Sequence, residues 1–342
     1  MQLFRFLLFP FSFVFYLITS VRNLLYDWKI FKAYNIPVPS ICVGNLSVGG
    51  TGKTPHVAYL AELLGSKHTV SILSRGYGRS TTGYRLLNEN DQADQVGDEP
   101  LFYVSTLPQV DQVVVCEKRK TGVEKIIEKN PNTSVILLDD AFQHRAVKAG
   151  LNLLITDFSK PFFKDYLMPL GTLRESRNGK ERADVIIVSK TPKNLSQSAK
   201  NKFVSELKIA PNKVFFSSIE YGDFRCFGQP RENPKQMILV TGIANPKPLE
   251  EYLRPNFEIF HVKFPDHYAF KAEDIAEIHQ KLSNFGNETI ILTTEKDFMR
   301  LKSRTSDWKM NQFPWYYVPI TVSIDREVEF KEIINGYVKT LS

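Results

Sequence analysis

The chain has 342 residues, 43% hydrophobic and 24% charged, a balance that supports a buried core and excludes a disordered or collagen-like chain. Lys and Arg outnumber Asp and Glu by 44 to 37, and the net charge of +7 favours anionic partners such as phosphates, nucleic acid or an acidic membrane surface. The three cysteines, Cys42, Cys116 and Cys226, are scattered, which excludes a zinc site built on cysteine pairs and a disulfide scaffold.

Much of the phenylalanine excess is at the front. Phe6 to Ile18 reads FLLFPFSFVFYLI, flanked by Arg5 and Arg22. The uncharged stretch, Phe6 to Val21, falls just short of the roughly 20 residues of a spanning helix. Pro10 interrupts an early turn. A signal peptide would need a small-x-small cleavage site, and Val21-Arg22-Asn23-Leu24-Leu25 offers none. Three readings remain: a helix buried in the core, a helix lying in or dipping into a membrane interface and, because the apolar run is broad rather than a clean stripe, a true span. The second is preferred, because Tyr16, Tyr26 and Trp28 suit the headgroup boundary.

From residue 38 the pattern becomes α/β. Val38 to Val43 reads as a strand, Lys53 to Leu64 as a helix and Thr69 to Leu73 as a strand. Residues 76–108 read as a long loop rich in Gly, Asn, Asp and Gln, a length that points to function or mobility. Strands follow at Gln112 to Cys116, Ser134 to Leu138, Leu151 to Thr156, Asp184 to Val188 and Val214 to Ser218, with a charged helix over Glu117 to Lys129. After Gly228, Pro230 and Pro234 a smaller βαβα block begins. Its strands are Met237 to Thr241, Phe257 to Val262 and Thr289 to Thr293, and its helices Pro248 to Leu253, Ala272 to Leu282 and Glu327 to Leu341. The alternation predicts an α/β fold, a mostly parallel sheet with helices on both faces, and the glycine-rich motif at Ser47 to Thr54 makes the expectation P-loop NTPase-type. The expected units are an N-terminal helix (1–30), a P-loop core (31–229) and a smaller C-terminal α/β domain (230–342).

The strongest chemical signal is Ser47-Val48-Gly49-Gly50-Thr51-Gly52-Lys53-Thr54, between a strand and a helix, as a phosphate-binding loop requires. Its glycines let backbone amides approach phosphate oxygens, Lys53 reaches the β- and γ-phosphates, and Thr54 suits Mg²⁺. The strict pattern begins with Gly where this chain has Ser47. Val135 to Asp140 is a buried strand ending in two carboxylates, the arrangement that places an acid near Mg²⁺. Gly97-Asp98-Glu99-Pro100 could supply a base and a metal ligand, or be a plain turn. Pro265-Asp266-His267-Tyr268 could bring a histidine to a catalytic acid, or only a structural one. Basic residues follow several strand ends: Arg75, Arg79, Lys118, Arg119, Lys120, Arg145, Arg174 and Arg177. Ser189-Lys190-Thr191-Pro192 lacks the Asn and Asp of guanine readout, which favours ATP over GTP.

These motifs together resemble the tetraacyldisaccharide 4′-kinase family of lipid A biosynthesis. The carriers are VGNLSVGGTGKTP (Val43 to Pro55), LSRGYGR (Leu73 to Arg79), GDEP (Gly97 to Pro100), LDDAFQHR (Leu138 to Arg145), GTLRE (Gly171 to Glu175), TGIANP (Thr241 to Pro246), PDHYAF (Pro265 to Phe270) and TEKD (Thr294 to Asp297). The missing first glycine fits this family. The resemblance implies ATP- and Mg²⁺-dependent phosphorylation of the 4′-hydroxyl of an acylated glucosamine disaccharide 1-phosphate, at the cytoplasmic face of a bacterial inner membrane with an anionic surface. It implies a peripheral or monotopic protein that takes no nucleic acid. Asp98 and His267 are then the catalytic pair. Thr54, Glu99, Asp139 and Asp140 serve Mg²⁺, and Asn45, Arg75, Tyr77, Arg119, Gln143, His144, Arg174 and Glu175 bind the sugar head. The competing expectation is a membrane-surface P-loop ATPase switch acting through a protein partner; GDEP and PDHY favour the kinase.

Overall fold

The structure, a computed structural model, describes residues 2–340, with side chains in the first helix described from residue 7 onward. Arg5 and Phe6 as side chains, and Leu341, lie outside the described residues. A nine-stranded sheet runs in the order Ile320–Ile324, Val214–Tyr221, Val185–Ser189, Leu151–Asp157, Ser40–Asn45, Val135–Asp139, Val70–Ser74, Val110–Val115, Arg85–Leu86. Every pairing is parallel except at the two edges. The central strands are short apolar runs buried along their whole length, as strands covered on both faces must be. One core lies on each face of this sheet.

A second sheet of five strands takes the order Arg225–Cys226, Trp315–Val318, Thr289–Thr294, Gln236–Thr241, Glu258–Lys263, and carries its own two cores. The chain then returns. Ile320–Ile324 pairs antiparallel with Val214–Tyr221, and the helix Glu327–Lys339 buries Phe330, Ile334 and Val338 in the core of the large sheet. The expected block 230–342 is thereby corrected, because its last residues complete the first layer and the smaller lobe ends at the crossing near Pro319. Two strands, Val214–Tyr221 and Ile320–Ile324, carry the chain to and from that lobe.

The expected loop at 76–108 is also corrected. Arg85–Leu86 pairs with Val110–Val115, and Ala93–Val96 and Asp98–Thr106 are helical. Gly97, at φ 95°, makes the break between the two helices, a turn that suits glycine. Asp98 and Glu99 occupy the next first turn, where the helix dipole favours acids, and Pro100 is tolerated there.

The first helix, Gln2–Asp27, is not a core helix. It is long and apolar enough, by length and composition, to cross a membrane, and it is mostly exposed. Leu7, Phe11 and Ile18 are 67%, 65% and 62% exposed, whereas Ser12 and Thr19 are buried. This reverses the usual amphipathic order of a water-facing helix. Its polar side is tied down. Ser12 donates to the Leu167 carbonyl (2.8 Å), Asn23 donates to Glu175 (2.8 Å), and Arg145 reaches the Asn23 carbonyl (2.8 Å) and Asp27 (2.7 Å).

Candidate functional site

The loop 46–52 leaves the carboxyl end of Ser40–Asn45 and opens the helix Lys53–Gly65. Gly52 caps that helix at φ 88°, a left-handed conformation open to glycine and costly for most other residues. The Asn45 amide braces the loop from within, donating to the Ser47 carbonyl (2.6 Å) and to Thr51 Oγ1 (2.9 Å). The GTLRE segment braces it from outside, with Val48 N–H on the Thr172 carbonyl (2.8 Å) and Arg174 N–H on the Leu46 carbonyl (2.8 Å).

Lys53 is buried, its Nζ 3.4 Å from Asn45 Oδ1 and 3.7 Å from Asp140. The two adjacent acids diverge. Asp140, in a left-handed conformation (φ 47°), accepts Arg174 on both oxygens at 2.9 Å. Burial alone would raise its carboxyl, but Lys53 and Arg174 outweigh that and hold it low. Asp139 turns the other way into a fully buried position, where Ser74 donates to Oδ2 (3.0 Å) and Oδ1 has no partner among the described residues. Burial, with the charges of Glu99 and Asp140, pushes its carboxyl up to about 7. Thr54 Oγ1 donates to Glu99 (3.1 Å), and the buried Tyr103 hydroxyl borders Thr54 and Asp139.

An orphaned carboxylate oxygen beside a second acid and a P-loop hydroxyl is a donor set that fits a hard divalent cation. Among the described residues no three His, Cys, Asp or Glu side chains form a self-sufficient metal cluster. Mg²⁺ held by one or two carboxylates, a hydroxyl and substrate phosphates requires none.

Asp98 and His267, on different lobes, meet: His267 Nδ1 is 3.1 Å from Asp98 Oδ2. Asp98 begins its helix far from the P-loop in sequence, yet the next residue, Glu99, is the one bonded to Thr54. His267 sits at φ 57° in the turn after Glu258–Lys263, its N–H on the Gly242 carbonyl (3.2 Å). The sequence reading missed two partners in the TEKD helix, Glu295–Leu301. Arg300 lies 3.3 Å from Asp98 Oδ2, and Lys296 Nζ lies 3.1 Å from His267 Nε2. A lysine ammonium only donates, so Nε2 accepts from Lys296 and Nδ1 carries the proton directed at Asp98. Burial alone would raise the Asp98 carboxyl, but the His267 hydrogen bond and the Lys296 and Arg300 charges hold it well below the usual carboxylate range. A half-buried acid on a helix start needs cations nearby, and TEKD was the available signal for them.

The remaining candidates divide. Gln143 bridges the Asn45 carbonyl (2.8 Å) and Glu175 (2.9 Å). Glu175 is fully buried and its oxygens take Gln143, Arg182 and Asn23, so it anchors the first helix and presents no free carboxylate to a ligand. Arg119 is 2% exposed and bonded to the Cys116 and Asp139 carbonyls, so it shapes the floor of the site. Arg75 and Tyr77 are exposed at the rim, and the Tyr77 ring lies 6.4 Å from that of His267. His144 is half-buried, and burial, then the charges of Arg119, Arg75 and Arg22, push its imidazole down to about 4. Arg79 and Arg177 are occupied elsewhere, on Glu117 and on the Asp165 carbonyl.

A glycine-rich loop between a central parallel strand and its following helix, with an acid at the end of the adjacent strand, defines a P-loop nucleotide-handling protein. Known proteins narrow the class. The family model described as tetraacyldisaccharide-1-P 4′-kinase (LpxK) matches residues 4–339. The tetraacyldisaccharide 4′-kinase of Flavobacterium psychrophilum is 40% identical, covering 99% of this chain and 98% of its own. That of Bacteroides thetaiotaomicron is 39% identical, covering 97% and 93%. Among solved structures, LpxK from Aquifex aeolicus, in complex with ATP, superposes with a TM-score of 0.75 at 30% identity over 98% of this chain and 99% of that one. The chain belongs to the tetraacyldisaccharide 4′-kinase family and is a kinase.

Proposed function

We propose that this chain transfers the γ-phosphoryl group of ATP to the 4′-hydroxyl of a tetraacylated disaccharide 1-phosphate, forming lipid IVA, at the surface of a membrane. The observation that carries the reading is the Asp98–His267 contact, made across the two lobes next to the P-loop. In this reading the loop 47–52 and Lys53 bind the β- and γ-phosphates. Asp98, ionised and oriented by His267, receives the proton of the sugar hydroxyl as its oxygen bonds to phosphorus and ADP leaves. Thr54, Glu99 and Asp139 would hold Mg²⁺, which supplies charge neutralisation at the phosphates. Asp140 instead fixes Lys53 and Arg174. Asn45, Gln143, Arg75, Tyr77 and His144 border the acceptor side, with Arg119 and Glu175 holding them in place. Phosphoryl transfer needs positioning and charge neutralisation more than covalent chemistry, and these groups supply both.

The test is incubation in detergent with ATP, Mg²⁺ and the acylated disaccharide 1-phosphate, with the lipid read by mass. One added phosphate is the expected product. ATP consumption with an unmodified lipid would overturn the proposal.

The exposed apolar side of the first helix supports placement on a bilayer, with the basic net charge favouring anionic lipid. Removing residues 1–25 should move the protein from the vesicle-bound to the free fraction on sedimentation with anionic vesicles. Because that deletion also cuts the Asn23–Glu175 bond, the double variant Phe11→Asp, Ile18→Asp is the cleaner probe. It should lose vesicle binding at an unchanged melting temperature, and undiminished binding would remove the anchor.

A further inference from the structure

Three consecutive carbonyls of the phosphate loop are held from outside by side chains that the site above does not use. Lys190 Nζ donates to the Gly50 carbonyl. Ser189 Oγ donates to the Thr51 carbonyl at 2.7 Å. His56 Nδ1 lies 2.6 Å from the Gly52 carbonyl, and its Nε2 lies 2.9 Å from Ser217 Oγ. A carbonyl only accepts, so Nδ1 carries the proton and Nε2 accepts from the Ser217 hydroxyl. Burial pushes the His56 imidazole down to about 4, which agrees with that neutral form. Ser189 and His56 are almost fully buried, while Lys190 is also braced by Asp157 at 2.9 Å.

We propose that Lys190, Ser189 and His56 form a clamp that positions the phosphate loop for ATP by holding its carbonyls outward. The inference rests on the reading that this loop binds the nucleotide phosphates. Its physical basis is the planar trans peptide, in which a carbonyl and the following N–H point in opposite directions. With the Thr51 and Gly52 carbonyls held towards Ser189 and His56, the amides of Gly52 and Lys53 face the other side of the loop. There they are aligned as anion donors before any ligand arrives. Gly49 and Gly52 both adopt positive φ, so a loop of this composition has other conformations to visit, and the clamp selects one of them. These are positioning residues; none of them touches the transferred group.

The clamp also gives the Ser189-Lys190-Thr191-Pro192 segment a use other than base readout. It links the loop to the strands that carry the chain to the second lobe. Ser217 lies on Val214–Tyr221, opposite Ile324 of the returning strand, and its carbonyl accepts from Thr191 N–H at 2.9 Å. His56 is therefore bonded at one nitrogen to the phosphate loop and at the other to the lobe crossing.

The two bonds of His56 can be separated by substitution. In His56→Asn the amide nitrogen takes the place of Nδ1, which keeps the Gly52 anchor and gives up Ser217. In His56→Gln the amide takes the place of Nε2, which keeps Ser217 and gives up the anchor. Steady-state kinetics on the full chain should show a KM for ATP raised about fivefold to tenfold in Ser189→Ala and His56→Gln, with the KM for the glycolipid unchanged. His56→Asn should recover most of that loss. Amide hydrogen exchange over residues 49–54, measured without nucleotide, should be faster in Ser189→Ala and His56→Gln than in wild type. A fold defect alone would lower the melting temperature of both His56 variants alike without separating their ATP affinities. If His56→Asn and His56→Gln have equal KM values, or if Ser189→Ala exchanges as slowly as wild type, the clamp is overturned. ATP binding to wild type by calorimetry separates the two readings. Binding that is present but insensitive to these variants removes the clamp alone, and its absence in wild type removes the nucleotide reading with it.

Discussion

Asp98→Asn is expected to lower kcat by about 10²–10⁴-fold, the usual worth of a positioned general base, while the affinity for ATP changes little. Asparagine keeps the size and one acceptor of the side chain, so His267 Nδ1–H and Arg300 retain a partner at 3.1–3.3 Å, but the proton acceptor is gone. His267→Ala should cost less than Asp98→Asn, because Arg300 and Lys296 still hold the carboxylate ionised. Single-turnover phosphate transfer, with nucleotide binding followed separately, checks both variants. An Asp98→Asn enzyme with wild-type turnover would falsify the assignment of the base. The same geometry sets an acid limit. The Asp98 carboxyl lies below its ordinary value of 3.8, so its contribution to stability is complete above that pH and is lost as pH falls through the lower, folded value. Arg300→Met should therefore raise the Asp98 carboxyl and flatten that acid limb.

What was legible in the chain was whatever is encoded locally. The run Ser40–Asn45, three glycines and an apolar helical pattern specify the phosphate loop, because strand, turn and helix are consecutive and each carries its own period. GDEP was legible as chemistry and misread as structure. Its Gly and two acids resemble a turn, and the helix start shows only in how the chain then packs, with Pro100, Leu101 and Tyr103 buried along Asp98–Thr106. Ile320–Ile324 was missed for a different reason. Nothing in ITVSI says that it crosses back to pair with Val214–Tyr221, and that choice is made by the edge left open on the large sheet. The meeting of Asp98 with His267, and of Arg300 with both Asp98 and Asp297, is a property of how two lobes pack. The division of labour between Asp139 and Asp140 was hidden too. Asp139 ends the strand and Asp140 turns out of it in a left-handed conformation, and only the positions of Ser74, Arg174 and Lys53 show which acid is already partnered.

That division leads to the second large effect. Asp139→Asn is expected to reduce kcat by three orders of magnitude or about that, comparable with the loss of other groups that neutralise charge in phosphoryl transfer. Yet it should make the ligand-free protein more stable above neutral pH. The Asp139 carboxyl is fully buried with one oxygen unpartnered, and burial, Glu99 and Asp140 raise it from 3.8 to about 7. An unfolded chain gives up this proton near pH 4, whereas the folded chain keeps it until about 7. Between those values the folded state binds more protons, so stability falls as pH rises, and the full penalty is present above about 7. At roughly 1.4 kcal/mol per pH unit the penalty is a few kcal/mol at most. The amide cannot ionise and escapes it. Thermal melts in EDTA without nucleotide should show the variant several degrees above wild type at pH 8, with the gap closing towards pH 5. Equal melting at both pH values would mean that Asp139 is not held under electrostatic strain. A more stable protein with no activity would place that strain where the fold gives up stability to keep a carboxylate ready for the phosphates and their cation.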